Sequence, residues 1–500
     1  MSKTIAIGFL VAMMAACGGN TGLKTGNGST GSAGSGAAGN GAAGDGMAGH
    51  VGAGGGTAGG VGANGGSGGS GDGSISVIFQ MAVNRSVDIV FMIDDSSGMT
   101  PLQAKLQASI SAYFDVLKSL PGGLPNLHVG VVSSSMGAGR NPSIFHCPQG
   151  GDQGIFRTLP LGGAPCTRAS LNAGQTFIIN VNGQANYAGD IADVFACISM
   201  LGEGGCGFEH QLESVLRALG ADGAPAPAQN ANFLRADAYL QIVLLTDEDD
   251  CSAPPDSDLF DSSSATVTDP LGPLQSYRCN EFGHLCGGEP PPRQPMGEVD
   301  LSGTCVSAED GRLLRVHDVV AALKLLKADP NKVFVSALTG PPKPYKVNVG
   351  PSQIKGDPSM WPYVEHSCIQ NEPDGSQTYA DPSVRISQMI TAFGGNGVFE
   401  DVCEPSYAPS LQRIAGQLGK ALGAPCLPAN ADPAKCSAVD HVFAPTGQII
   451  DTPLPRCTDA SDAGPCWDVG PSMVACAQPF IAKRPGAPAT DGSTTLTCAP

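Results

Sequence analysis

The chain has 500 residues, with 27 Lys and Arg against 45 Asp and Glu for a formal net charge of −18. That balance argues against nucleic acid, which needs a basic footprint, and the length allows two or three domains. Seventeen cysteines without a paired metal-ligand spacing point to disulfides in an oxidising compartment.

Met1-Ser2-Lys3-Thr4 is a short basic start, and 5–16 is an apolar run too short to span a bilayer. It ends Met14-Ala15-Ala16-Cys17-Gly18, small residues before a cysteine. This resembles a bacterial lipoprotein signal with Cys17 as the lipidated first residue, though Met14 stands where leucine is usual. The alternative is an ordinary cleaved signal with Cys17 incidental. Removing Cys17 leaves sixteen cysteines, an even number that permits full pairing.

Residues 18–74 are almost wholly Gly, Ala, Ser, Asn and Thr. Such a segment cannot offset its ordering entropy, so it is predicted to be a disordered tether, spanning roughly 40 Å as a flexible coil. Its Gly65-Gly66-Ser67-Gly68-Gly69 matches a hydrolase nucleophile pattern only in letters, since no strand precedes it and no helix follows.

Strand and helix signals then alternate. Val87–Ile93 is a continuous apolar run, read as a strand buried on both faces. Leu102, Leu106, Ile110, Phe114 and Leu117 predict a helix over 101–120. Strands are predicted at 127–133 and 176–181, a helix at 209–219, and a strand at 239–245 that runs into Thr246-Asp247-Glu248-Asp249-Asp250. A helix at 311–328, a strand at 332–338 and helices at 383–393 and 410–422 close the series. This alternation predicts an α/β fold, a doubly wound, mostly parallel sheet flanked by helices. Two stretches, about 136–175 and 251–309, interrupt it as long surface insertions stapled by disulfides. Residues 426–500 hold Cys426, Cys436, Cys457, Cys466, Cys476 and Cys498 and read as a small Cys-rich extension with fifteen conceivable pairings. Cys197 and Cys206 flank a Gly-rich middle loop, where a bond between them is one option, and Cys251 is placed to pin an insertion to the sheet edge.

Ligands bind outside the carboxyl ends of the strands in such sheets, where Asp94 and Ser96 end one strand and Asp247 another. The run Asp94-Asp95-Ser96-Ser97-Gly98-Met99, with Thr246-Asp247 and the order of elements between them, resembles the metal-ion-dependent adhesion site of von Willebrand factor A domains. The resemblance covers about 84–425 and implies a Rossmann-type sheet. In that family an Asp, two serines, a Thr from a middle loop and a later Asp surround a divalent ion, and a partner carboxylate often completes it. Asp94 and Ser96 match, and Asp247 fits the later Asp. Gly98 replaces the second serine, and the middle loop 202–209 has no Thr. There Glu209 either substitutes as an oxygen ligand or complements a helix N-terminus. Carboxylates and hydroxyls are hard ligands suited to Mg²⁺ or Ca²⁺. The alternative is a vestigial site in which Asp94 and Ser96 only bond backbone amides. The acidic run 247–250 lacks EF-hand spacing and is predicted to be a solvated loop mouth.

The histidines form no His-x-x-x-His pair, and Cys279, His284 and Cys286 lack the companion pair of a zinc site. Glu209-His210 with Glu213 likewise lacks a second histidine. The sequence thus predicts a lipid-anchored envelope protein, at the outer membrane or cell surface. Its A-type domain would bind a protein or extracellular-matrix partner and would not be an enzyme. A metal-dependent envelope hydrolase using Asp94 and Asp247, and a metal-free structural envelope protein, are the competing readings.

Overall fold

The structure is a computed structural model that describes residues 68–69, 74–80, 84–120, 123–160, 166, 169–352, 358–422, 426–427, 431–443, 448–457, 465–470, 477–484 and 492–499. Cys17, Cys476 and most of the 18–74 tether reading lie outside the described residues; within that segment Gly68–Gly69 is not disordered but pairs antiparallel with Ile75–Ser76.

The central sheet contains β1 (Ser86–Ile93), β2 (Asn126–Ser133), β3 (Ile178–Val181), β4 (Gln184–Ala185), β5 (Tyr239–Leu245), β6 (Val333–Thr339) and β7 (Gly397–Asp401), in the order β7-β6-β5-β1-β2-β3-β4. Neighbours from β7 to β2 run parallel. β3 pairs antiparallel with β2, and β4 with β3. Seven α-helices are described: α1 (Thr100–Ser119), α2 (Ile191–Ile198), α3 (Gln211–Leu219), α4 (Tyr277–Gly283), α5 (Val316–Leu325), α6 (Val384–Ala392) and α7 (Ala408–Ala421).

Side-chain alternation along β1 divides the core. Val87, Ile89, Phe91 and Ile93 join the apolar faces of α1, α2 and α7. Val90 and Met92 join those of α3, α5 and α6 on the other side. The apolar period of α1 does what the sequence requires of it. Leu102, Leu106, Ile110, Phe114 and Leu117 are all buried, and Pro101 sits in the first turn, where no N–H is needed. Phe91 packs edge-on to Phe195 and Tyr113 at 4.5 and 5.5 Å, pairs that each add about 0.5–1.5 kcal/mol beyond burial. The polar interruption Gln241 in the central strand β5 is satisfied. It accepts from the Tyr113 hydroxyl at 2.5 Å and donates to the Ile414 carbonyl at 2.9 Å.

This topology corrects the doubly wound, mostly parallel, Rossmann-type α/β expectation. The central sheet is mixed, and every other sheet is antiparallel. The physical reason lies in the connections. Antiparallel pairing needs only a tight turn, whereas parallel pairing needs a long crossover. The segments between and after the crossover helices are rich in Gly, Pro and Cys. They fold into hairpins such as Cys368–Asn371 with Gln377–Ala380, which helical and strand periodicity in the sequence did not reveal.

Cysteines fasten these hairpins and loops. Cys147 is bonded to Cys206, Cys166 to Cys197, Cys251 to Cys279, Cys286 to Cys305 and Cys368 to Cys403. Cys197 and Cys206 are therefore not partners of each other. Each instead ties the middle region to the first insertion. Near the C-terminus, Cys436 pairs with Cys498 and Cys457 with Cys466. Here Ile75–Gln80 pairs antiparallel with Ser493–Cys498, which pairs in turn with Cys436–Phe443 and so reaches Ile449–Leu454. Leu427, Ala438, Leu454, Trp467, Phe480 and Leu496 fill a separate small core. The strand that follows the Gly-rich segment thus shares a sheet with the last residues of the chain.

Candidate functional site

The carboxyl ends of β1, β2 and β5 meet at one edge of the sheet. Asp94 follows β1 and is wholly buried, its amide donating to the Leu245 carbonyl of β5 at 2.9 Å. Its Oδ1 accepts the Ser96 amide at 2.9 Å and the Ser134 hydroxyl at 3.0 Å. Its Oδ2 accepts the Thr246 hydroxyl at 2.6 Å. Asp94 therefore binds three loops together, those after β1, β2 and β5. Gln103 of α1 completes the turn by donating to the Asp94 carbonyl at 2.8 Å.

Ser96 and Asp247 are placed differently. The Ser96 hydroxyl and Asp247 Oδ1 are buried and have no hydrogen-bond partner, and the same holds for Gln211 Oε1 of α3. Gln211 turns its amide nitrogen to the Thr246 hydroxyl at 2.9 Å. An unpaired buried oxygen costs about 1–3 kcal/mol, so three at one edge form a demand for a ligand. Gly98 lies beside them at φ +103°, and a Cβ there would stand 3.4 Å from Asp247 Oδ2. Gly98 thus sits where the backbone takes a conformation that favours glycine.

Glu209 is almost fully buried at the entry to α3. It lies near Glu248, Asp94 and Asp247. No basic side chain forms an ion pair with Asp94, Glu209, Asp247 or Glu248 among the described residues. Burial and then mutual repulsion push the carboxyls of Glu209 and Asp247 well above the usual range. Burial raises Asp94, against its hydrogen bonds. Glu248 is pushed up to about 8 by burial, then by Asp381 and Asp94. Asp95 also rises to about 8 through burial and then the charges of Asp94 and Asp152. It faces the middle loop, where Gly205 donates to its carbonyl at 2.7 Å. A Cβ on Gly205 would fall 2.2 Å from Asp95 Oδ1, so only glycine allows this approach.

The acidic run, expected as a solvated loop mouth, is a buried and divided element. Asp249 accepts His284 Nε2 at 2.8 Å and the amides of Arg385 and Ile386 at 2.8 and 3.1 Å. Arg385, wholly buried, reaches Asp250 at 2.9 Å and 3.2 Å. Asp249 and Asp250 are thereby neutralised and hold the loop to α6, while Asp247 and Glu248 are left without a cation. Cys251 then joins Cys279, as its position suggested.

All four sequence-predicted site residues, Asp94, Ser96, Glu209 and Asp247, lie at this one edge. Ser134, Thr246 and Gln211 were not assigned roles from the sequence. The signal available was a polar Ser133-Ser134-Ser135 ending an apolar strand. The residues fit a hard divalent cation such as Mg²⁺ or Ca²⁺: the orphaned oxygens of Ser96, Asp247 and Gln211 supply ligands, and the four carboxylates supply uncompensated charge. Among the described residues, three carboxylate or thiol ligand atoms converge only at Cys368, Asp401 and Cys403. Those cysteines are bonded to each other. An ion at the Asp94 edge therefore draws on hydroxyl, amide and water oxygens as well as carboxylates. His210 is not part of the site; its Nδ1 meets Glu213 at 2.5 Å.

No helix among the described residues is long and apolar enough to cross a membrane, and the disulfides suit an oxidising exterior. No family profile matches the chain, and no curated protein does. Among solved structures, the chain is similar to the pilus adhesin SpaC from Lactobacillus rhamnosus GG in its open conformation, at 12% identity and a TM-score of 0.30. That match covers 85% of this chain and 40% of the adhesin. A human COPII-coat protein matches at 10% identity and TM-score 0.27, over 85% of this chain and 41% of that one. The three N-terminal domains of the type V pili tip protein Mfa5 from Porphyromonas gingivalis match at 11% and 0.25, over 85% and 64%. Likenesses this distant carry no argument about what the chain does.

Proposed function

We propose that this chain is an exported binding module of the bacterial envelope, lipid-anchored through Cys17, and not an enzyme. Its working edge is a divalent-cation site of the metal-ion-dependent adhesion type, through which it engages a protein or matrix partner. One observation carries the reading. Ser96 and Asp247 leave buried oxygens unpaired near carboxylates that no basic side chain among the described residues neutralises. Burying uncompensated charge is costly, and a bound cation removes the cost. Asp94 orients the Ser134 and Thr246 hydroxyls and the Ser96 turn, while Ser96, Asp247 and Glu209 are the groups with oxygens to offer.

Calorimetric titration of the mature chain with Mg²⁺, Mn²⁺ and Ca²⁺ tests this. Saturable heat that is lost in Ser96→Ala and Asp247→Asn supports it. No heat with any of the three ions sinks it. Mass spectrometry of the chain purified from membranes tests the anchor, which predicts a first residue of acylated Cys17; an unmodified start elsewhere refutes it.

A further inference from the structure

We propose that Thr495 is a covalent modification site, an activated hydroxyl that takes one acyl group from an activated, uncharged ester or thioester. The site belongs to the terminal sheet and is independent of the cation-site reading. His441 Nδ1 lies 2.7 Å from Asp451 Oδ1, and its Nε2 lies 2.8 Å from Thr495 Oγ1. Three adjacent strands, Ile449–Leu454, Cys436–Phe443 and Ser493–Cys498, supply one group each. His441 stands opposite Asp451, and Thr495 stands opposite Val439, a diagonal spacing that a ring can bridge. An ionised carboxylate only accepts, so Nδ1 carries the ring proton. Nε2 of the neutral ring is then the acceptor, and the Thr495 hydroxyl donates to it. Nucleophile, base and orienting carboxylate thus follow in the order that activates a hydroxyl.

Other hydroxyls of the same strand are committed elsewhere. Thr494 donates to the buried Asp440 at 2.6 Å, and Thr497 pairs with the Ser76 hydroxyl at 3.0 Å. The same order recurs in Tyr345, His284 and Asp249, at 2.8 Å for each contact, but those three are buried, whereas His441 and Asp451 reach solvent. Thr495 lies in register between Ile78 and Val439, and Ile78 is 54% exposed, so apolar surface borders the hydroxyl where an acyl group would rest. Asp451 and the net charge of −18 disfavour an anionic donor. Strands flank Thr495 on both sides, and their ladders use its backbone amide, which cannot then steady a tetrahedral oxygen. The donor must therefore be activated already, and reaction stops at the ester. In that step Thr495 Oγ bonds to the acyl carbon, its proton passes to His441 Nε2, and the carbonyl electron pair moves onto oxygen. When the pair returns, the bond to the alkoxide or thiolate breaks, and the leaving group takes the proton from His441. The products are an ester on Thr495, a free alcohol or thiol, and a neutral ring.

The probe is p-nitrophenyl acetate, applied to the mature chain and to its Thr495→Val, Thr495→Ser, His441→Gln and Asp451→Asn variants. Release of p-nitrophenolate gives the rate, and peptide mass spectrometry after an acid quench locates the acetyl group. The expected result is an acetyl group on Thr495 in the parent, its loss in Thr495→Val and its retention on the serine of Thr495→Ser. Labelling in His441→Gln should be at least about a hundredfold slower, the lower end of what a positioned base supplies. Asp451→Asn should slow it as well, because an amide no longer fixes the ring tautomer. Tyr345 should stay unlabelled. A purely structural hydrogen-bond chain would leave Thr495 as unreactive as any surface threonine. No acetyl group on Thr495, or labelling at a rate that His441→Gln leaves unchanged, overturns the proposal. Circular dichroism of each variant checks that a lost label is local, and Thr495→Ser, which keeps the hydroxyl, tests the reading even where another variant fails to fold.

Discussion

Two substitutions close to one loop should move stability in opposite directions. Arg385 is wholly buried and contacts Asp250 through Nε and a terminal nitrogen, the Ser307 hydroxyl at 3.0 Å and the Leu314 carbonyl at 2.6 Å. Arg385→Met keeps most of the apolar volume but leaves Asp250 as an unpaired buried charge. Breaking a buried pair from one side costs about 3–5 kcal/mol. Glu209→Gln does the reverse. Burial and then Glu248 lift its carboxyl well above the ordinary range, so a neutral amide there should raise stability in the absence of divalent ions. Urea unfolding in chelator, followed by circular dichroism, measures both. If Arg385→Met costs under about 1 kcal/mol, or if Glu209→Gln destabilises the metal-free chain, the division of the acidic loop into a neutralised and an uncompensated half is wrong.

Other outcomes follow from the same geometry. Asp95 and Glu248 titrate near 8 in the folded chain but near 4 when unfolded, so the folded state binds more protons in that window. Stability of the metal-free chain should therefore fall as pH rises from about 4 to about 8, by up to about 1.4 kcal/mol per unit for each group. A urea midpoint that is flat or rises over that range would contradict this, and saturating Ca²⁺ should flatten the slope. Gly98→Ser puts a side chain at φ +103° and should cost about 1–2 kcal/mol through the backbone; a neutral effect in urea unfolding would mean that this turn relaxes freely. Replacing both Cys147 and Cys206 by serine opens a crosslink between residues 59 apart. Chain entropy sets the loss at about 4 kcal/mol, and a shift below about 1 kcal/mol in the same assay would show the two loops to be held by packing alone.

The parallel strands were legible because burial on both faces leaves a continuous apolar run, as in Val87–Ile93. Helices α1, α3, α5, α6 and α7 were legible because their buried faces repeat at helical spacing, whereas the short α2 and α4 were not. The edge strands β4 and β7 were not. They are short and partly exposed, so burial imposes no clear pattern on them. The terminal sheet was hidden for another reason: Ile75–Gln80 and Ser493–Cys498 pair across almost the whole chain, and register over such a distance leaves no local trace. At the site, Asp94, Ser96 and Asp247 stood out because charge directly after an apolar strand is unusual. Misreading the run 247–250 as solvated came from composition. Four acids in a row look water-seeking until His284 and Arg385, distant in sequence, arrive beside two of them. The Cys147–Cys206 bond was equally invisible, since spacing alone favours no partner.

The most direct test of the account is diffraction from crystals of the mature chain grown with Ca²⁺, using the anomalous signal of the ion. The account predicts a peak among Ser96, Asp247 and Glu209, with the Asp94 carboxyl still bound to the Ser134 and Thr246 hydroxyls. Clear electron density for these side chains with no anomalous peak between them would contradict it.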